Sequence, residues 1–281
     1  MATLNRVLDP RAAGAKRLVG KVAIVTGSGQ GHGRATAKRL AEEGASIMVV
    51  DRFEQGGIRS RDELREAGVN AELFIGDVGS ADTAKALMKA TKDKFGKIDI
   101  LVNNVGGAMY QSRQGWEFSP QELIDNVNNS LWTCLWNCWA VMSYMVEQRS
   151  GSIINFGSHA VRGTGRLGYA AAKGGVMAIT TSLALEAAPY NVRVNCVVPH
   201  LSTRPEGDTL IARVPGAPVP AGGAGRDATK QLTNANMTPI PMNRPGTPEE
   251  VAAAVAFFAS DDSSFTTAEI MCVGGGAFCQ L

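Results

Sequence analysis

The 281-residue chain lacks the features of several protein classes. No apolar run is long enough to span a bilayer, and the N-terminal region has no apolar stretch of the kind that directs secretion. Long basic runs are also missing and the formal net charge is +2, so we expect neither nucleic acid nor a membrane surface as a partner. The five cysteines are scattered, odd in number and without CxxC spacing. We therefore expect reduced thiols in a cytoplasmic protein, and no metal site.

The main feature of the sequence is an alternation of two kinds of segment. Short apolar runs alternate with helix-length segments, an order typical of parallel strands covered by helices on both faces. The predicted strands are residues 21–26, 46–51, 71–75, 98–102, 152–156, 192–198 and 270–273. Because crossovers between parallel strands are right-handed, the sequence predicts an α/β fold with one doubly wound, Rossmann-type sheet. We assign residues 19–281 to this single domain and residues 1–18 to an N-terminal extension.

Two helix starts are clearly marked. Ser119-Pro120 and Thr247-Pro248 each combine a hydroxyl residue suited to the N-cap with a proline suited to the first helical position. A glutamate follows three residues after each hydroxyl residue and completes a capping box. The sequence therefore predicts helices that begin at Pro120 and Pro248.

Proline is concentrated in one region. Nine of the twelve prolines lie between Pro199 and Pro248, together with many glycines. An irregular segment of this length is unusual in a compact domain and is often a functional loop. We predict a substrate lid at about residues 200–246, and the alternative is a plain surface insertion.

Glycines follow the first predicted strand and precede the first predicted helix. The turn contains Gly27, Gln30, Gly31, His32 and Gly33. Glycines allow backbone amides to approach a pyrophosphate at a helix N-terminus, where the helix dipole favours negative charge. The sequence therefore predicts a dinucleotide site at this turn.

The end of the second predicted strand bears on the choice of dinucleotide. Asp51 lies where a carboxylate can accept hydrogen bonds from the ribose hydroxyls of NAD and repel the 2′-phosphate of NADP. Arg52 follows directly and could instead bind that phosphate. We predict NAD as the cofactor, with NADP as the less favoured alternative.

The order of motifs resembles that of the short-chain dehydrogenase/reductase family over about residues 20–276. The motifs are the TGxxxGxG sequence of residues 26–33, Asp77-Val78, Asn103-Asn104-Val105-Gly106, Ser158 with Tyr169 and Lys173, and residues 192–195 with Pro199. The resemblance implies a nicotinamide-dependent oxidoreductase. It implies that Asp77 and Val78 flank the adenine, that Asn104 lies under the nicotinamide half, and that the backbone after Pro199 meets the carboxamide.

The sequence departs from the family pattern near the carboxamide. His200 follows the proline where the family usually has glycine, and Thr203 stands four residues past the proline instead of five. A second departure affects the asparagine that usually holds a water beside the catalytic lysine. An ungapped comparison puts Ser130 in its place, and a shift of one residue would put Asn129 there.

The resemblance makes Tyr169, Lys173 and Ser158 the catalytic residues, and the chemistry agrees with it. Oxidation of an alcohol needs a base for the hydroxyl proton, and a free phenol has a pKa near ~10. A phenolate base at neutral pH therefore needs positive charge beside it. Lys173 lies four residues after Tyr169, on the same helical face, and could supply that charge. Ser158 would donate a hydrogen bond to the substrate oxygen.

A finer set of features is similar to dehydrogenases that act on cis-dihydrodiol carboxylates in benzoate and toluate breakdown. The short spacing between Ser158 and Tyr169, with Arg162 and Arg166 inside it, is part of this set. Those enzymes oxidise the diol with NAD, and loss of carbon dioxide gives a catechol. Either arginine could bind the substrate carboxylate, and the alternative is that both are solvated or paired with another subunit. His159 is expected to line the substrate cleft.

The sequence is also compatible with two other functions. One is a general alcohol dehydrogenase or carbonyl reductase of the same fold, because the fold does not determine the substrate. The other is a nucleotide-sensing protein that has lost catalysis. The family resemblance also implies self-association, as a homotetramer or a dimer.

Overall fold

Seven parallel strands form one sheet in the computed structural model, which describes residues 16–203 and 240–277. Their order across the sheet is β3-β2-β1-β4-β5-β6-β7. The strands are β1 (Val22–Thr26), β2 (Ser46–Asp51), β3 (Ala71–Ile75), β4 (Ile100–Asn103), β5 (Gly151–Phe156), β6 (Val192–Pro199) and β7 (Ile270–Val273). The predicted doubly wound α/β fold is confirmed.

Helices connect the strands. The α-helices in the described part of the chain are α1 (Gly31–Glu42), α2 (Glu54–Glu66), α3 (Ala81–Phe95), α4 (Pro120–Val127), α5 (Thr133–Gln148), α6 (Leu167–Ala187) and α7 (Pro248–Ala259). A π-helical turn, Asn128–Trp132, joins α4 to α5. The predicted starts of α4 and α7 are confirmed, since Ser119 and Thr247 both form capping boxes.

The core has two layers, one on each face of the sheet. Successive strand residues point to opposite faces, so Val25 packs in one layer and Ile24 in the other. Leu40 of α1 and Phe258 of α7 belong to the first layer, and Val141 of α5 to the second. Continuous apolar strands are therefore needed, because both faces of the sheet are covered.

Two strands begin later than the sequence predicts, and β1 does so by one residue, at Val22. β4 begins at Ile100 instead of residue 98. The backbone of Ile98 is bound by a side chain: its N–H donates to Gln148 Oε1 at 3.1 Å, and Gln148 Nε2 donates to its carbonyl at 2.7 Å. An apolar residue outside the strand ladder thus has its backbone groups satisfied.

The N-terminal extension and the predicted lid, which depart from the alternation of strands and helices, are only partly described by the structure. Residues 1–15, and residues 204–239 of the predicted lid, lie outside the described ranges. At the end of the predicted extension, Leu18 is fully buried in the core, and Arg17 forms ion pairs with Glu43 and Asp262. At the two sides of the predicted lid, Ser202 and Gly246 form a parallel β-bridge.

Candidate active site

The carboxyl ends of the central strands meet at one edge of the sheet. Thr26, Asn103, Phe156 and Pro199 are the last residues of β1, β4, β5 and β6. In open α/β sheets, ligands bind in the crevice outside these ends. The predicted catalytic and cofactor-binding residues lie at or after these ends and those of β2 and β3, or in the adjoining helices.

The turn between β1 and α1 has the close approach that a phosphate cradle needs. Gly27 and Gly31 have φ values of +64° and +53°, a region that side-chain-bearing residues rarely occupy. A Cβ atom on Gly33 would lie 2.1 Å from the Gly27 carbonyl oxygen. Gln30 is the N-cap of α1, and its side chain makes no capping hydrogen bond to the helix. The backbone donors at this helix start fit a pyrophosphate.

Asn104 holds the glycine turn against the end of β4. Its Nδ2 donates to the carbonyl oxygens of Thr26 and Gly27, at 3.0 and 3.1 Å. Its backbone N–H donates to Thr26 Oγ1 at 3.1 Å. The structure therefore gives Asn104 a role in shaping the cradle, next to the position predicted for the nicotinamide half.

Asp51 fixes the other side of the same turn. Its Oδ2 accepts from the Gly29 N–H at 2.8 Å, and its Oδ1 accepts from the Phe53 N–H at 2.9 Å. The residue is 9% exposed. Each carboxylate oxygen can accept further hydrogen bonds, so the ribose hydroxyls of a bound dinucleotide fit here.

The residues predicted to flank the adenine lie beside this corner. Val78 is buried, whereas Asp77 is exposed. Asp77 Oδ1 accepts from the Gly79 N–H, and its Oδ2 accepts from Arg52 at 3.3 Å. Arg52, the residue that could bind the 2′-phosphate of NADP, thus forms an ion pair in which both side chains are exposed.

His32 lies at the start of α1, against Phe156. The ring centroids are 6.2 Å apart, and burial lowers the pKa of His32 to about 4. At neutral pH the ring is therefore uncharged. Its backbone belongs to the phosphate cradle, and its ring lies toward the end of β5.

Lys173 is placed by a backbone carbonyl at the end of β5. Its Nζ donates to Phe156 O at 2.6 Å, and the residue is only 3% exposed. The same Nζ lies 6.0 Å from the centroid of the Tyr169 ring, one helical turn away on α6. Ser158 is also buried, and its Oγ accepts from the Ala160 N–H at 3.1 Å. The structure thus brings the ammonium group close to the predicted base.

Ser130 lies beside Lys173 in the place predicted for the family asparagine. A Cβ atom on Gly106 would lie 3.0 Å from Lys173 Nζ and 3.1 Å from Ser130 Oγ, so both polar atoms line one small space. Ser130 is fully buried and accepts from the Gly107 N–H. Asn129 instead donates to the Gly107 carbonyl oxygen at 3.3 Å. This arrangement favours Ser130 over Asn129 for the polar group beside the lysine.

The π-helical turn explains why spacing alone left that choice open. Ser130 is in the segment Asn128–Trp132, where an extra residue is inserted into the helical repeat. An insertion rotates the following residues relative to those before it. Counting along an ideal α-helix therefore cannot tell which side chain faces the lysine.

The two predicted substrate arginines have different surroundings. Arg162 is exposed, whereas Arg166 is partly buried at the N-cap of α6. Arg166 Nε donates to Ser112 Oγ at 3.3 Å. Burial, then the neighbouring His200, then the charge of Arg166 lower the pKa of His159 to about 4. The positive charge of Arg166 therefore acts on the ring of the residue that follows Ser158.

Pro199 and Thr203 follow the end of β6. Pro199 pairs with Val273 of β7, and its backbone carbonyl acts on the His159 side chain, whose pKa it raises. Thr203 donates its backbone N–H to the Gly246 carbonyl oxygen at 2.8 Å. Both predicted carboxamide contacts thus lie on the β6 side of the crevice.

Sequence reasoning gave no role to three residues at this site. Thr26 and Gly29 shape the cofactor turn, through their hydrogen bonds with Asn104 and Asp51. His200 stacks on His159, with ring centroids 3.6 Å apart. The available signal for His200 was its place after Pro199, where the family usually has glycine.

Comparison with known proteins agrees with this geometry. A family model described as short chain dehydrogenase matches residues 21–205, and one described as enoyl-(acyl carrier protein) reductase matches residues 214–277. The 1,6-dihydroxycyclohexa-2,4-diene-1-carboxylate dehydrogenase of Acinetobacter baylyi is 35% identical, over 93% of this chain and 97% of its own. The protein of the same name from Pseudomonas putida is 36% identical, over 93% and 94%.

Reductases of other substrates are similar as well. The 3-oxoacyl-(acyl-carrier-protein) reductase FabG of Vibrio cholerae is 35% identical, over 93% of this chain and 98% of its own. Among solved structures, levodione reductase has a TM-score of 0.80 at 30% identity, covering 92% of this chain and 98% of that one. NAD+-bound xylitol dehydrogenase has a TM-score of 0.80 at 29% identity, covering 92% and 100%.

The chain belongs to the short-chain dehydrogenase/reductase family, as its motifs predict. It is an oxidoreductase that uses a nicotinamide dinucleotide, and the alternative of a catalytically silent nucleotide sensor is set aside. None of the helices in the described ranges is long and apolar enough to cross a membrane.

Proposed function

We propose that this protein oxidises a cyclohexadiene cis-diol carboxylate with NAD, and that the product becomes a catechol. Oxidation of the hydroxyl carbon beside the carboxylate-bearing carbon gives a β-keto acid. Such an acid loses carbon dioxide, and the ring then becomes aromatic. The observation that carries the proposal is the positive charge of Arg166, which acts on His159, the residue after Ser158, together with the relatives named for this diol carboxylate.

Arg166 is suited to a carboxylate by its chemistry and by its position. A guanidinium group offers parallel N–H donors that match the two oxygens of a carboxylate. Arg166 directly precedes α6, the helix that carries Tyr169, and it lies near His159. A carboxylate bound to it would lie within the same crevice as the alcohol. The exposed Arg162 is the weaker candidate for this contact.

The chain supplies each group that the oxidation needs. Tyr169 accepts the hydroxyl proton, Ser158 donates to the substrate oxygen, and the ammonium of Lys173 stabilises the phenolate. Ser130, next to Lys173, holds the polar path by which the proton leaves. The glycine cradle and Asp51 would hold NAD, which would accept the hydride.

Rate measurements with paired substrates test this function. We expect kcat/KM for the benzoate-derived cis-diol with NAD to exceed that of the same diol without its carboxylate by at least about tenfold, since one charged hydrogen-bonding group is lost. Reduction of a 3-oxoacyl thioester with NADPH is the comparison reaction. Faster turnover of the thioester would favour the alternative function, an acyl or carbonyl reductase, which the similarity to FabG supports.

Replacement of Asp51 tests the preference for NAD. Asp51→Asn keeps the shape of the side chain and removes its charge, so it weakens acceptance from the ribose hydroxyls and no longer repels a 2′-phosphate. We expect kcat/KM with NAD to fall about tenfold or more and that with NADP to rise. Initial rates with each cofactor measure both values. An unchanged ratio would mean that Asp51 does not choose the cofactor.

Self-association and location are further parts of the proposal. We propose a homotetramer or dimer in the cytoplasm. Apolar rings on the surface support the association, since Trp139 of α5 is 50% exposed and Trp116 is 83% exposed. A monomeric mass in light scattering would contradict it. The cysteines in the described ranges are free thiols, as the cytoplasm would keep them.

A further inference from the structure

His200 is a buried polar side chain that the proposed mechanism does not use. It follows the last residue of β6 and is 7% exposed. Neither Nδ1 nor Nε2 of its ring has a hydrogen-bond partner in the part of the chain that the structure describes. A buried donor or acceptor without a partner destabilises the fold, so a ring with two such nitrogens calls for an explanation.

The ring of His200 is held in place without using either nitrogen. It stacks on His159 with centroids 3.6 Å apart and an angle of 32° between the planes. The backbone carbonyl of Pro199, the residue before His200, acts on the His159 side chain and raises its pKa. At the backbone, His200 donates its N–H to the Val273 carbonyl oxygen at 3.2 Å. The structure therefore orients the His200 ring and leaves its polar atoms for another partner.

The neighbours of His200 belong to the catalytic crevice. His159 directly follows Ser158, and the His200 backbone extends the strand next to β5, whose last residue binds Lys173. Burial, followed by the charge of Arg166, lowers the pKa of His200. At neutral pH the imidazole is therefore uncharged and carries one N–H donor and one acceptor nitrogen. The His200 N–H and the Arg166 guanidinium are therefore two hydrogen-bond donors in the same part of the crevice.

We propose that His200 is a substrate-binding residue that donates a hydrogen bond to the polar group beside the reacting alcohol, which under the proposed function is a carboxylate. This identification of the group rests on that function. His200 acts together with Arg166: the guanidinium supplies charge and two parallel donors, and the imidazole adds a donor of fixed direction. His159 is a positioning residue, because it holds the His200 ring by stacking.

Two substitutions separate this role from a structural one. His200→Phe keeps an aromatic ring that can stack on His159 and removes both nitrogens, whereas His200→Gln keeps a hydrogen-bond donor and loses the ring. We expect His200→Phe to raise KM for the carboxylated diol about tenfold, with smaller changes in kcat and in KM for NAD. His200→Gln should restore KM to within about threefold. For the diol without a carboxylate, KM should change little in both variants.

The outcomes distinguish this proposal from the proposed function. If the carboxylated diol is oxidised but His200→Phe leaves its KM unchanged, the role of His200 is wrong and the function stands. If the diol is not oxidised, the proposed function is wrong. The binding of benzoate, followed by NMR, then tests whether His200 contacts a carboxylate. The chain has only three histidines, so ¹⁵N spectra of the imidazoles can follow each one, with His32 as the reference and His200→Gln for assignment. Benzoate added to the NADH complex should shift the His200 nitrogens of the wild type, and unshifted signals would overturn the proposal.

Discussion

Tyr169→Phe is expected to lower kcat for alcohol oxidation by about 10²–10⁴-fold, the range typical of a lost general base. The change removes one oxygen atom and keeps the ring. Lys173 should stay in place, because its Nζ is held by the Phe156 carbonyl at 2.6 Å and not by the tyrosine. Affinity for NAD should therefore change little. Steady-state kinetics gives kcat, and fluorescence titration gives the NAD dissociation constant.

Tyr190→Phe is the matched control for this substitution. Tyr190 is 40% exposed in a short 3₁₀ helix that follows α6, away from the crevice. It should keep the wild-type kcat. If Tyr169→Phe also kept kcat within about threefold of the wild type, another group would have to accept the proton, and Tyr169 would not be the base.

The second large effect is expected at Arg166. Arg166→Ala should raise KM for the carboxylated diol about 10–100-fold, because a hydrogen bond to a charged group contributes about 1.5–3 kcal/mol. Arg166→Lys should give an intermediate value, since it keeps the charge but cannot form two parallel hydrogen bonds. The measurement is KM for the diol with its carboxylate and for the diol without it.

Arg162→Ala is the comparison that separates the two arginines of the loop. Arg162 is exposed, and we expect its removal to change KM far less than removal of Arg166. KM for the neutral diol should be similar in all three variants. Equal effects of Arg166→Ala on both diols would show that Arg166 supports the fold of the loop and does not bind a carboxylate.

The sheet could be predicted because its central strands are buried on both faces. Such strands are continuous apolar runs, and those in the described sheet end at, or one residue beyond, the predicted residue. Strand starts are less certain: β4 begins at Ile100 because Gln148, about fifty residues away in sequence, binds the backbone of Ile98. A contact of that kind leaves no local pattern in the sequence.

The candidate site was predictable where a backbone turn or a fixed helical spacing defines it. Gly27 and Gly33 are required by dihedral angle and close approach, and Lys173 follows Tyr169 by one helical turn. The place of Ser130 depends on a π-helical turn, which the sequence does not reveal. The stacking of His159 on His200 depends on the pairing of β5 with β6, so it could be seen only in the fold.

A single mass balance tests the proposed oxidation most directly. The enzyme is supplied with NAD and the benzoate-derived cis-diol carrying a ¹³C-labelled carboxylate, and NADH, catechol and labelled carbon dioxide are quantified together. We predict one catechol and one labelled carbon dioxide for each NADH formed, at a rate that Tyr169→Phe reduces. A diol that gave no NADH, or NADH formed while the label stayed on the ring, would contradict the proposed function.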